Sequence, residues 1–282
     1  MMMKNILGYI ELNTGKKPIT PMNDVFIGFT FHNKDNWSVA KDIANIMSAA
    51  YSEQSDEEPL ELLTGEVEVQ TQFPNFRDHS STTPNRNDVR IEDDKQVVYL
   101  EPQNDPYPTV PISKRSLEYL SFALTRGEHK KQTFLWLING SVKELLDGQT
   151  FSYQVRMDRD THRINQLDGG ILYIDLPKLA KQNTQAGELA RVLIGEPEQP
   201  TDELVREIQL KLKDSFSKFK NDTEVHGIMS RDEMNRQQGE RKKASEIARN
   251  FLKLGLTVQQ IIEGTGLGAD EVERLKDEMA MS

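Results

Sequence analysis

The chain has 282 residues, 36% of them hydrophobic and 28% charged, with a formal net charge of −10 and no cysteine. That size allows one sizeable core with an appendage, or two modest domains, and the polarity describes a folded protein with a polar surface. The absence of cysteine excludes disulfides, zinc–thiolate sites and thiol catalysis; no apolar stretch approaches the roughly 20 residues of a membrane span, and the acidic balance argues against indiscriminate binding to a phosphate backbone.

The opening, MMMKNILGYIELNTGKK, has an apolar patch interrupted by Glu11 and no small-residue cleavage site after it. No secretory leader and a cytoplasmic location are therefore expected. In TPMNDVFIGFTF (20–31) the apolar alternation predicts a strand, while DNWSVAKDIANIMSAAY after it has helical spacing through Val39, Ile43, Ile46 and Met47. ELLTGEVEVQTQF alternates through Val67, Val69 and Thr71 and reads as a strand; FPNFRDHSSTTPN reads as a polar loop. RNDVRI and QVVYLEP flank the acidic turn EDDK, a hairpin signal. SKRSLEYLSFALTRG is expected to be a helix capped by Ser113, lined by Leu117, Leu120 and Leu124 and stopped by Gly127. TFLWLING, FSYQVRM and GGILYIDLPKL read as three further strands, the last ended by Pro177.

Composition shifts after about residue 195, which divides the chain into an expected core domain at 1–195, a charged helical linker at 196–245 and a small helical tail at 246–282. Within the linker, 201–220 reads as a charged amphipathic helix and 230–245 as a solvated polar segment. In the tail, 257–265 and 269–279 have the outline of a helix-turn-helix. The second helix, ADEVERLKDEM, is too acidic to lie against phosphates, so packing or homo-oligomerisation is its expected role. Trp37 and Trp136 read as core anchors. His32, His79, His129, His162 and His226 lie too far apart in sequence to form a paired-histidine metal motif.

The chemistry-bearing stretch is the hairpin. Asp88 opens its first strand and Glu101 ends its second, so the two carboxylates can lie at corresponding strand ends and converge on one divalent ion. Glu92, Asp93 and Asp94 are then expected at the distal turn, facing solvent. On spacing alone, two solvated acidic strand ends account for the same pattern. Lys114, Arg115, Arg126, His129, Lys130 and Lys131 form the candidate DNA-facing basic patch, with a solvated helix as the plain alternative.

The order of these motifs resembles a known family. Asp88, the hairpin, Glu101-Pro102-Gln103 and the following KRSLEYLSFAL are similar to the PD-(D/E)XK nuclease-family transposases, the recombination-promoting nucleases. NDVF at 23–26, LYIDLPKL at 172–179 and the tail FLKLGLTVQQIIEGTGLGADEVERL resemble the same family. The resemblance implies an α/β fold of the restriction-endonuclease-like type: a mixed central sheet flanked by helices, with a helical C-terminal extension. It implies a magnesium-dependent DNA endonuclease, with manganese as a substitute ion, linked to recombination or transposition. Asp88 and Glu101 would be the metal ligands and Gln103 would stand at the position of the motif lysine. Asp24 would be accessory, Lys114 and Arg115 would meet substrate phosphate, and Tyr119 would pack nearby. Pro102 and the missing lysine depart from the pattern. They motivate an alternative, a nuclease-like fold that binds DNA or protein without cutting.

Overall fold

The computed structural model describes residues 9–12, 15–55, 59–71, 89–104, 108, 110–125, 130–155, 169–223, 225–226 and 242–280. These fall into two compact units, 1–225 and 226–282. The first is an α/β structure with helices around a six-stranded mixed sheet, whose strands lie in the spatial order 68–71, 89–92, 96–103, 131–138, 170–175 and 151–155. A separate two-stranded ribbon pairs β1 (Tyr9–Leu12) with β2 (Gly15–Pro18).

Helix α1 (Asp24–His32) comes first, capped by the Asn23 side chain, which accepts from the Phe26 amide at 3.0 Å. The strand expected over 20–31 is thus a helix. Val25, Phe26, Ile27, Gly28, Thr30 and Phe31 are all buried, because α1 lies between the sheet and a later helix. A helix buried on every side has no polar stripe, so its apolar residues do not show a 3.6-residue period. A short 3-10 turn leads into α2 (Trp37–Gln54), whose Tyr51 ring meets Phe151 and Tyr153 on one face of the sheet.

Strands β3 (Glu68–Thr71), β4 (Val89–Glu92) and β5 (Gln96–Gln103) form an antiparallel meander, with Val89 opposite Leu100 and Ile91 opposite Val98. The hairpin forms as expected, with a correction at its turn. Asp93 is buried and accepts from the amides of Thr64, Lys95 and Gln96; Glu92 is the last strand residue and pairs with Arg90 and Lys130. Of the three acids expected in solvent, Asp94 alone is exposed.

Helix α3 (Ile112–Thr125) carries the chain over to β6 (Lys131–Ile138), which runs parallel to β5. The helix begins at Ile112, where the Pro111 carbonyl accepts from the Lys114 and Arg115 amides, so Ser113 lies inside it instead of capping it. Leu117, expected on the core face, is 55% exposed. The face in contact with the sheet carries Ile112, Ser116, Tyr119 and Leu120. A one-turn helix α4 (Lys143–Leu146) covers the same face. Strand β7 (Phe151–Val155) pairs antiparallel with β8 (Gly170–Asp175), which adds parallel to β6. Both β5 and β8 are buried along their whole length, and continuous apolar runs such as TFLWLI are what parallel strands covered on both faces require.

Two short helices, α5 (Leu176–Leu179) and α6 (Gln185–Ile194), lead to α7 (Glu203–Asn221). Phe216 and Phe219 of α7 meet Phe26 edge-on at 6.1 and 5.2 Å, so α7 packs on α1. The segment expected as a linker from 196 therefore contributes core to the first unit, which extends to Val225 beyond the expected boundary at 195. The second unit packs a helix over 242–253 (α8), α9 (Val258–Thr265) and α10 (Ala269–Ala280) around Ala248, Ile261, Leu267, Val272 and Leu275. Asp270 and Glu271 in the first turn of α10 are favourable there, where the helix dipole is positive. Among the described residues, no helix is long and apolar enough to cross a membrane.

Candidate active site at the end of strand β5

Strand alternation places Val97, Tyr99, Glu101 and Gln103 on one face of β5, beneath α3. Glu101 is 0% exposed, and its register partner in β6 is the equally buried Trp136. Burying an ionisable carboxyl group inside a sheet is costly unless the group is paired or coordinates a metal. Gln103 is 8% exposed, two residues nearer the strand end. Its Oε1 accepts from Arg115 Nη1 at 2.8 Å.

Arg115 stands in the first turns of α3. Its guanidinium carbon is 5.1 Å from the Trp136 ring centre and 5.8 Å from that of Tyr119, and Nη2 donates to the Tyr119 hydroxyl at 3.4 Å. The two rings stack at 5.9 Å with 24° between planes. One helical turn of polar pairing fixes the height of α3: Ser116 Oγ is 2.6 Å from the Tyr173 hydroxyl and 2.8 Å from the Ile112 carbonyl. A hydroxyl has one proton to give, so with Ser116 donating to the carbonyl, Tyr173 donates to Ser116. Burial pushes the Tyr173 phenol above its ordinary value, against the opposing effect of the Ser116 bond.

Asn104, just past Gln103, ties the strand end to its neighbours. Its Nδ2 donates to the Met22 carbonyl at 2.7 Å, and its Oδ1 accepts from Asn139 at 3.3 Å. The loop entering α1, with the exposed Asp24, is thereby held at the same end of the sheet as Glu101 and Gln103. Ligands in open α/β sheets bind at the carboxyl ends of the strands, which is where this cluster lies for the parallel strands β5, β6 and β8.

Pro102 fits this strand on the side that faces β6. The Gln103 carbonyl accepts from the Asn139 amide at 2.8 Å, so Gln103 turns its backbone groups toward the β6 side. Backbone groups alternate along a strand, which turns the Pro102 nitrogen the other way. The ladder between β5 and β6 therefore loses no donor.

The expected basic patch does not assemble among the described residues. Lys114 is exposed near Gln103, whereas Lys130 and Lys131 flank the start of β6. Seven residues of strand, about 23 Å at 3.3 Å per residue, separate the two ends. Lys130 is also engaged, at 2.8 Å from Glu92 and 2.6 Å from the Asp93 carbonyl. Burial raises the Glu92 carboxyl, but hydrogen bonds and charge from Lys130 and Arg90 outweigh it and hold the group below its ordinary value. Asp93 is likewise raised by burial and lowered further by three backbone amides and Lys130. Arg126, His129 and Gly127 lie outside the described residues.

Asp88 also lies outside them; it precedes Val89, the register partner of Leu100. Among the described residues, no three His, Asp or Glu side chains come together as a metal cluster. Glu101 offers a hard oxygen ligand of the kind a divalent ion takes; the second carboxylate expected for that ion, Asp88, lies outside the described residues. Surface clefts lie beside α7, lined by Asp42, Leu204 and Glu207, and beside β7, lined by Tyr51, Thr150 and Tyr153. Neither includes Glu101, Gln103 or Arg115.

Sequence reasoning found Glu101, Gln103 and Arg115 but missed Trp136 and Asn104 as members of the cluster. Trp136 is marked by its place in TFLWLI opposite the hairpin's second strand, and Asn104 by its place one residue past the motif. Comparison with protein-family models, curated proteins and solved structures finds no match to this chain.

Proposed function

We propose that this chain is a metal-dependent DNA endonuclease of the recombination-promoting, PD-(D/E)XK type, with a restriction-endonuclease-like first unit. The observation that carries the reading is the cluster at the end of β5. Glu101 and Gln103 share one face there, and Arg115 reaches back to Gln103 from the start of α3. Supporting it is the element order: helix, three antiparallel strands, helix, parallel strand. In this reading Asp88 and Glu101 hold a magnesium or manganese ion, which supplies positive charge to the scissile phosphate and acidifies water. Gln103 orients the attacking water, Lys114 meets the DNA backbone, and Asp24 adds an acidic group at the rim.

A second reading is favoured by one observation. Glu101 is fully buried and Arg115 donates to Gln103 while lying against the Trp136 and Tyr119 rings, a closed arrangement that suits a nuclease-like module binding DNA or protein without cutting. Calorimetric titration with Mg²⁺ and Mn²⁺ separates the two. The endonuclease reading expects binding that Asp88→Ala and Glu101→Ala each abolish. Folded protein that takes up neither ion supports the non-cutting module.

A further inference from the structure

We infer that Arg115 is a positioning residue, which locks the Gln103 side chain with its carbonyl toward α3 so that Gln103 faces the substrate as a hydrogen-bond donor. The orientation of a glutamine amide is ordinarily ambiguous, because its oxygen and nitrogen look alike. Here the partner removes the ambiguity. A guanidinium has five donors and no acceptor, so the Gln103 atom at 2.8 Å from Arg115 Nη1 has to be the oxygen. Nε2 hangs from the same carbon and points away from Arg115.

Arg115 is in turn held by two aromatic residues. The Trp136 ring lies 5.1 Å from the guanidinium carbon and the Tyr119 ring 5.8 Å, while the Tyr119 hydroxyl takes a third contact at 3.4 Å. A planar delocalised cation stacks on rings in this way, and a lysine ammonium cannot. The Trp136 indole is fully buried, so the platform is part of the core and not a mobile surface ring. Arg115 is thus spent on orienting Gln103, and phosphate contact falls to the exposed Lys114.

What the donor meets rests on the endonuclease reading. An amide is no base and removes no proton from water. An Nε2–H that donates to the oxygen of the attacking water holds that water in place beside the phosphate, as the ammonium of a lysine can. A chain with glutamine at the lysine position can therefore keep the donor while giving up the charge, provided something fixes the amide the right way round.

The experiment uses the full chain in two readouts. In ¹H–¹⁵N spectra, the Gln103 side-chain pair (assigned by its loss in Gln103→Glu) is expected to shift in both Arg115→Met and Arg115→Lys, while dispersed backbone signals report an intact fold. A pair that stays in place in either folded variant overturns the lock. In plasmid nicking, Gln103→Glu keeps an acceptor for Arg115 and removes the donor; it is expected to lower kcat by about 10²–10³-fold, the effect of deleting one transition-state donor. Cleavage at the wild-type rate by Gln103→Glu overturns the donor role. Arg115→Met is expected to lower kcat about 10–100-fold, the usual size of an outer-shell effect, with KM for DNA within about twofold. A raised KM with unchanged kcat and a weaker salt dependence would make Arg115 a phosphate ligand and overturn the assignment. Wild-type protein that nicks nothing refutes the endonuclease reading alone, and the amide spectra still decide the lock.

Discussion

Phe219→Ala tests whether α7 is part of the core that carries the candidate site. Phe219 is 0% exposed, and its ring meets Phe26 at 5.2 Å and Phe29 at 5.3 Å, both edge-on. Truncating a buried phenylalanine to alanine costs about 3–5 kcal/mol, the lost transfer energy plus the cavity left behind. That is a large share of the roughly 5–15 kcal/mol that holds a folded domain together. At about 2–4 °C per kcal/mol for a unit of this size, melting should fall by about 6–20 °C. Trp37 and Trp136 are the two tryptophans of the chain and both lie in the first unit, so tryptophan fluorescence follows this unit and is silent on the second. Leu210→Ala is the control: it lies on the same helix but is 58% exposed, and its effect should stay within about 0.5 kcal/mol. A Phe219→Ala shift no larger than that of Leu210→Ala would refute the packing and return α7 to the status of a solvated linker.

The hairpin turn gives a second expectation: Asp93→Ala strands the amides of Thr64, Lys95 and Gln96 and should cost about 2–3 kcal/mol in urea unfolding, with Asp93→Asn recovering part of it. Glu92 and Asp93 both have lowered folded-state values, so their contribution is present above the ordinary 4.5 and 3.8 and is lost as pH falls through the folded ones. Urea midpoints from pH 7 to pH 3 should therefore fall less steeply in Glu92→Gln/Asp93→Asn than in wild type; parallel curves would contradict this. Finally, residues 1–225 alone should melt cooperatively, whereas 1–202, which lacks α7, should not.

The parts of this fold that are legible in the sequence are those whose pattern is set locally. The β4–β5 hairpin is visible because Val89 and Ile91 alternate and an acidic turn follows; β6 is visible because a parallel strand covered on both faces must be apolar throughout. Helix α1 is hidden by the same logic, since burial on all sides erases the stripe that marks a helix. Its one local sign is Asn23, whose side chain caps the Phe26 amide. On α3, apolarity pointed to Leu117, but the sheet is met by Ser116, a polar residue buried because Tyr173, 57 positions away, brings a hydroxyl to it. No window on the sequence contains both partners. The candidate site divides in the same way. Glu101 and Gln103 stand out as a short motif, while the Arg115 lock and its Trp136 platform depend on α3 folding back over β5 and β6. Charge reasoning failed for Lys130 because its partner Glu92 was assigned to solvent.

Plasmid nicking by purified protein in Mg²⁺ and in Mn²⁺, with Glu101→Ala alongside, addresses the central claim most directly. The endonuclease account predicts metal-dependent conversion of supercoiled to open-circular DNA by the wild-type chain, and none by a Glu101→Ala variant shown to be folded. Cleavage that survives in Glu101→Ala, or a folded wild-type chain that leaves the plasmid intact in both metals, would contradict it.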